Sequence, residues 1–372
     1  MKEKEGRESE NRFFLKELVT RISPLFAKTR KVVTDFFLRS NIESDIEGET
    51  FETEFSPSKY VELYYPEIQA EMFPNVSEII KKLETNGPIC NQIDGEQLKQ
   101  EIERVFPGNV NGAELMENFC IYDFILRRAL KRMLEIRPDD HFNILDVGGG
   151  PTIYQHIPLA PVARNITHSE FVTSNRECVR SWLAGSGHDW SSYTRCCQIG
   201  LGSFLDSYST ARDTVKRRIS DLVRVGDEDY TKYLKSILGD ILPVDVFAPD
   251  LKQVGGEFDV INLGKWGSVD LLTSHFCIES ATADPEKWKI GIENIGKKVA
   301  PGGFLLMTAI RDAEWYKVGE NQLPAVPIDA ETVNRELVNN GFKILEETEL
   351  LNPDQKPSVG YGGMIFILAQ KI

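Results

Sequence analysis

The sequence predicts an α/β protein built on a mostly parallel sheet with an antiparallel last strand, plus a helical N-terminal extension and an inserted lid. Three observations predict it. Strand-like runs ILDVG, NITHSE, LPVDVF, FDVINL or VDLLTS, FLLMTAI, FKILEETEL and MIFILAQ succeed one another with helical stretches between most of them, the pattern of parallel strands joined by crossover helices. The final two runs are separated by a loop alone, which calls for an antiparallel hairpin. The first run ends in an acid followed by Gly148-Gly149-Gly150-Pro151, a bend at the edge where such sheets bind ligands.

Taken in chain order, residues 1–54 read as a helical extension. FFLKELVTRI and KTRKVVTDFFL carry apolar residues at three- and four-residue spacings, and the acid-rich stretch Glu43–Glu54 reads as a linker. Residues 55–115 read as a cap and lid. Ser56 and Pro57 open a short helix bearing Tyr60, Tyr64 and Tyr65, and a polar segment broken at NGP and PGNVNG follows. Residues 116–372 read as the main domain. Its first helix shows Phe119, Tyr122, Leu126, Ala129, Leu130, Met133 and Leu134 on one face and ends at RPDDH, just ahead of the first strand.

The chain has 372 residues, is 41% hydrophobic and carries a formal net charge of -14. That acidity argues against a nucleic-acid partner, because phosphates would be repelled. The six cysteines form no CxxC pair, and adjacent Cys196 and Cys197 lack metal-clamp spacing, so reduced thiols and no metal are expected. No apolar signal core and no run long enough to span a membrane is present. The expectation is a soluble cytoplasmic protein, a monomer or weak dimer, acting on a small molecule.

The glycine bend narrows the ligand. A dinucleotide fingerprint needs a third spaced glycine, but Pro151-Thr152-Ile153 follows Gly148, Gly149 and Gly150; a phosphate loop needs GK[ST], which is absent. A nucleoside with an amino-acid tail remains, which means S-adenosylmethionine. Such a ligand needs a carboxylate for its ribose at the end of the second strand, where Glu170 stands about twenty residues past the glycines. It also needs a polar group for its adenine after the third strand, where Asp245 stands. With Asp146, each of the three acids ends or follows an expected strand, which is why they are read as one site.

These motifs resemble a known family. DVGGGPTIYQ, SEFVTSN, HDW, VDV, SHFCIESA, APGGFLL, EWYKVGE and VPI are similar to stretches of the small-molecule methyltransferases that act on nicotinamide, phenylethanolamine, indolethylamine and thioethers. The resemblance begins at SKYVELYY and resumes near Met116. It implies a class I, Rossmann-like fold with a seven-stranded sheet, and S-adenosyl-L-methionine converted to S-adenosyl-L-homocysteine. By the resemblance, Gly148, Gly150 and Thr152 line the methionine portion, Glu170 and Asn175 bind the ribose, and Phe171 lies against the adenine. Asp245 and the Val246 amide take the adenine edge, while Tyr60 and Tyr65 close over the cofactor and the reacting centre. Tyrosine faces suit a sulfonium cation.

The reaction implied is in-line methyl transfer to a nitrogen, sulfur or oxygen of a small metabolite, in which the protein mainly positions and shields the reactants. His275 is a catalytic candidate, with His156 and Asp312 weaker ones. Relatives that methylate amines hold them with acids near the fifth strand and the final hairpin. Here those places read Thr308-Ala309-Ile310-Arg311 and Ser358-Val359-Gly360-Tyr361-Gly362, with neutral Ala325 nearby. Arg311 and Asp312 are therefore substrate candidates, together with Tyr64, Asn118, Tyr122 and Tyr154, and a neutral heteroaromatic or an acidic substrate is expected rather than a catecholamine-type amine. One alternative is a cofactor-consuming enzyme that cyclises the aminobutyrate chain to azetidine-2-carboxylate and releases methylthioadenosine, with Asn118, Tyr122 or Tyr154 steering the amino group. Another is a binding protein without turnover.

Overall fold

A computed structural model describes residues 57–65, 67–68, 70–78, 112–138, 141–208, 213–251, 268–318, 321–351 and 360–372. The expected extension 1–54 and, within the lid segment 67–114, residues 69 and 79–111 lie outside the described residues, as does FDVINL. Nine strands are described: β1 Phe142–Val147, β2 Ala163–Ser169, β3 Leu238–Leu242, β4 Val269–His275, β5 Val299–Arg311, β6 Trp315–Val318, β7 Asn321–Pro324, β8 Phe342–Leu351 and β9 Gly363–Lys371.

Seven of them form one sheet in the order β3-β2-β1-β4-β5-β9-β8. All neighbours from β3 to β5 are parallel, and β9 runs antiparallel to both β5 and β8. This is the expected Rossmann-like sheet with its antiparallel last strand. The inner strands are almost wholly buried because helices cover both faces, so they read as continuous apolar runs. The edge strand β8 instead presents Glu346, Glu347 and Glu349, charges that discourage pairing with another chain.

Alternation along the strands divides the core. Ile144, Leu271, Phe304, Leu306 and Phe366 face the helical stretch Gly112–Ile136 and helix Ser191–Ser207. Leu145, Leu272, Leu305, Ile365 and Ile367 face helices Pro285–Lys298 and Ala330–Asn339. Every face residue expected on the first main-domain helix is buried, and within that helix residues Phe124–Ala129 widen into a π turn.

Two details correct the sequence reading. The third strand is LGDIL rather than LPVDVF, because Pro243 has no N–H for the ladder and ends it. The hairpin β6–β7 has no counterpart among the expected strands; it lies beyond the carboxyl end of β5. Strand order reverses at β1, where β2 lies on one side and β4 on the other, which opens a crevice beyond their carboxyl ends.

Candidate active site

Register assembles the floor of the crevice. Asp146 on β1 pairs with His168 on β2 and with Thr273 on β4, so all three side chains share one face. Asp146 is wholly buried. It accepts from Thr273 Oγ1 at 2.7 Å, Gln155 Nε2 at 3.0 Å and His156 Nε2 at 2.8 Å. Burial alone would raise its pKa, but contacts with His156 and His168 outweigh it and hold the carboxyl well below its usual range. Burial in turn lowers the His156 pKa, so this imidazole stays neutral and donates to the carboxylate. His156 therefore braces Asp146 beneath the loop, which corrects its reading as a catalytic candidate.

The three glycines are required for different reasons. At Gly148, with φ +69°, a Cβ would lie 2.0 Å from Cys277 Sγ; at Gly149 it would lie 2.2 Å from Asp146 Oδ2 and 2.3 Å from His168 Cε1. Both glycines make room for the protein's own side chains. Gly150 differs: its φ is +62°, yet nothing lies within 4 Å of where its Cβ would point. This is the glycine whose bare backbone faces open space. The loop is anchored through Gly148 N and Gly149 N to Ser169 O, and Thr152 Oγ1 donates to Gly149 O at 3.0 Å.

Glu170 is the hinge between loop and second strand. Its carboxylate accepts from Gly150 N at 2.9 Å, Val172 N at 2.8 Å and Asn175 Nδ2 at 3.2 Å. Asn175 is thus beside Glu170 as expected. Phe171 is half-buried next to it, with its carbonyl held by Arg176. Beyond β3, half-buried Asp245 folds its carboxylate back onto Phe247 N at 2.8 Å, and the carbonyl of buried Val246 accepts from Asn294.

The tyrosine-bearing segment closes against this loop. Helix Pro57–Tyr64 starts on proline, whose missing N–H costs nothing there. Buried Tyr65 lies 4.8 Å from the Tyr154 ring, 5.5 Å from Trp190, 6.2 Å from Tyr193 and 6.0 Å from half-buried Tyr60. Tyr122 donates to the Tyr154 carbonyl, and Asn118 hydrogen-bonds Tyr193. Burial pushes the Tyr65 and Tyr122 hydroxyls well above their ordinary pKa, so they stay protonated. The side chain of Tyr64 lies outside what is described.

The carboxyl ends of β4 and β5 form the other wall. His275 pairs in register with Thr308, and its Nδ1 lies 3.0 Å from Thr308 Oγ1, while its buried Nε2 has no partner. Burial lowers its pKa to about 4, so the ring is neutral near pH 7. The next residue, Phe276, takes φ 53°, and Asp312 at the end of β5 takes φ 52°. Side chains rarely adopt that backbone without a compensating role. Ile310, Ala313 and Ala325 form a small apolar cluster that Phe276, Tyr316 and Tyr361 pack against.

Glu279, which sequence reasoning passed over, stands out here. It is fully buried, accepts from Ile310 N at 2.9 Å through Oε1, and has no partner on Oε2. Burial raises its pKa to about 7. Burial, then Tyr60, Cys277, Glu170 and Glu279, raise the pKa of the Tyr316 hydroxyl. Arg311 Nε lies 3.4 Å from Asp312 and 3.7 Å from Glu349.

Residues 109–372 match the model of the NNMT/PNMT/TEMT family. The chain belongs to that family. Human phenylethanolamine N-methyltransferase is 27% identical over 62% of this chain and 73% of its own length. Rabbit (Oryctolagus cuniculus) indolethylamine N-methyltransferase is 25% identical over 61% and 76%, and human nicotinamide N-methyltransferase 22% over 67% and 85%. Among solved structures, magnesium protoporphyrin IX methyltransferase from Synechocystis PCC 6803 covers 80% of this chain and 100% of its own, at 11% identity and a TM-score of 0.37.

As a member of the NNMT/PNMT/TEMT family, the protein is an S-adenosylmethionine-dependent methyltransferase with a Rossmann-like class I sheet. The crevice fits the cofactor chemically. Gly150 offers bare backbone, Glu170 a carboxylate beside it, and the tyrosines aromatic faces for a sulfonium. Among the described residues no helix is long and apolar enough to cross a membrane.

Proposed function

We propose that this methyltransferase methylates a nitrogen of a small, flat, basic metabolite. The observation that carries this reading is Glu279, a buried carboxyl with a raised pKa of about 7 and an unpartnered oxygen. An amine arrives as ammonium and must lose a proton before its lone pair can attack. A carboxylate titrating near neutrality takes that proton more readily than an ordinary one. The three sequence relatives named above are N-methyltransferases, which supports nitrogen over sulfur or oxygen.

In this reading S-adenosylmethionine supplies an electrophilic methyl group on a good leaving group. Gly148, Gly149, Gly150 and Thr152 hold its methionine portion, with Asp146 acting through the loop it braces. Glu170 and Asn175 take the ribose hydroxyls, and Phe171, Asp245 and Val246 the adenine. Tyr60 and Tyr65, with Tyr154 behind them, cover the methionine end and keep water out. Phe276, Tyr316 and Tyr361 flank the acceptor ring while Ala313 and Ala325 leave it room. Glu279 receives the proton, and Asn118 and Tyr122 border the acceptor side. His275, neutral and tied to Thr308, contributes a hydrogen bond rather than a base.

The test incubates the purified full chain with S-adenosylmethionine and a panel of aromatic amines, aromatic acids and thioethers, read by mass spectrometry. The expected result is a one-methyl mass gain on an amine together with S-adenosylhomocysteine. Methylthioadenosine released from the cofactor alone would replace this reading with cyclisation, and gain only on acids or thioethers would overturn the choice of nitrogen.

A further inference from the structure

The aromatic cap is fastened along one helix by contacts that touch neither loop nor acceptor wall. Just before helix Ser191–Ser207, the His188 ring lies 4.7 Å from Trp190, and Trp190 meets the Tyr65 ring edge-on at 5.5 Å. Asp189 accepts from Ser191 N at 2.9 Å, which fixes the turn. One step along, Ser192 Oγ accepts from Ile68 N at 3.3 Å; a turn later, Arg195 pairs with Glu71 at 3.0 Å. Further on, a Cβ at Gly200 would lie 2.7 Å from the Phe73 ring, so glycine there lets the segment seat. Four successive fastenings follow the same helix, and the first bears directly on the residue that meets Tyr154.

We infer that the His188-Asp189-Trp190 turn is a positioning element for the tyrosine cap, setting the orientation of Tyr65 and through it the affinity for S-adenosylmethionine. His188 and Trp190 are positioning residues, since they act through Tyr65. The inference rests on the reading that Tyr60 and Tyr65 cover the cofactor. The turn differs in kind from the other fastenings. Ser192, Arg195 and Gly200 meet Ile68, Glu71 and Phe73, whereas Trp190, with the His188 ring against it, packs on the ring of Tyr65 itself.

The experiment titrates S-adenosylhomocysteine calorimetrically into the full chain, comparing wild type, His188→Ala, His188→Phe and Tyr60→Ala. Losing the ring that packs against Trp190 is expected to raise Kd about fivefold to tenfold in His188→Ala. The binding stoichiometry and Tm are expected to stay at wild type, and His188→Phe, which restores a ring against Trp190, to recover most of the affinity. A lower stoichiometry at unchanged Kd would mean a folding role only and overturn the inference. Wild-type Kd in His188→Ala with weakened binding in Tyr60→Ala would overturn it too. Wild-type Kd in both variants would remove the cap reading along with it.

Discussion

The site's two walls treat their carboxylates in opposite ways. On the cofactor side, Asp146 accepts from three side chains, and Glu170 accepts from two backbone amides and Asn175. On the acceptor side, Glu279 accepts from one amide and keeps an oxygen unpartnered. The first arrangement holds Asp146 ionised; the second lifts Glu279 to about 7. Backbone conformation follows the same division. Left-handed residues in the cofactor loop are glycines, whereas those ending β4 and β5 are Phe276 and Asp312. The carboxylates of one wall are satisfied by folding, whereas the other wall keeps left-handed side chains and an unpartnered carboxylate oxygen.

The largest expected effect comes from breaking the completed wall. Gly148→Ala combines a left-handed backbone with a Cβ 2.0 Å from Cys277 Sγ. Left-handed strain of about 1–2 kcal/mol and overpacking of about 1–3 kcal/mol give a loss of roughly 3 kcal/mol, to be read by urea unfolding. Gly150→Ala carries the strain without a clash and is expected to lose roughly 1 kcal/mol of stability. Its cofactor affinity should fall about tenfold or more, because the new methyl points where ligand backbone contact is needed. Equal losses of stability in the two variants would erase the distinction between them.

Much of this architecture was legible in the sequence, for stated reasons. Alternating runs and the closing hairpin gave the sheet, because burial on both faces demands continuous apolar strands. The glycine bend and Glu170 were legible because strand ends place them. The partners of Gly148 and Gly149 were not, since Cys277 and His168 reach the loop only through sheet register. Glu279 was missed for a related reason. An acid in the run FCIESA looks ordinary until Ile310 N and the surrounding apolar wall bury it. The third strand was misplaced because VDV is as strand-like as LGDIL, and only Pro243 separates them.

Glu279 is where the unfinished wall can be sharpened. Its folded pKa of about 7 lies above its ordinary 4.5, so burial favours the neutral form. The folded state is therefore most stable, as far as this group matters, below the ordinary value, and loses stability as pH rises through 7. Glu279→Gln removes that loss. Its stability advantage over wild type should grow by on the order of 2–3 kcal/mol between pH 5 and pH 8. The same substitution should lower kcat/KM for an amine by about a hundredfold, the scale of a lost general base. A pH-independent difference in stability would mean that the carboxyl titrates normally, and the proton-accepting role would go with it.

The smallest expected effect separates the amine from the acid that the bare sequence favoured. Arg311 next to the acceptor wall argues for an anionic substrate only if its charge is available. Its guanidinium lies between Asp312 and Glu349, at 3.4 and 3.7 Å, and partly exposed pairs of this kind contribute little either way, roughly 0–1 kcal/mol. Arg311→Gln should therefore change KM for an amine by less than about threefold. An acceptor carboxylate held by that side chain would instead lose a charge-assisted contact, and KM would rise more than about tenfold. A tenfold rise would return the acceptor to the acidic class and leave Glu279 facing a like charge, which the raised pKa of that buried carboxyl would then serve to soften rather than exploit.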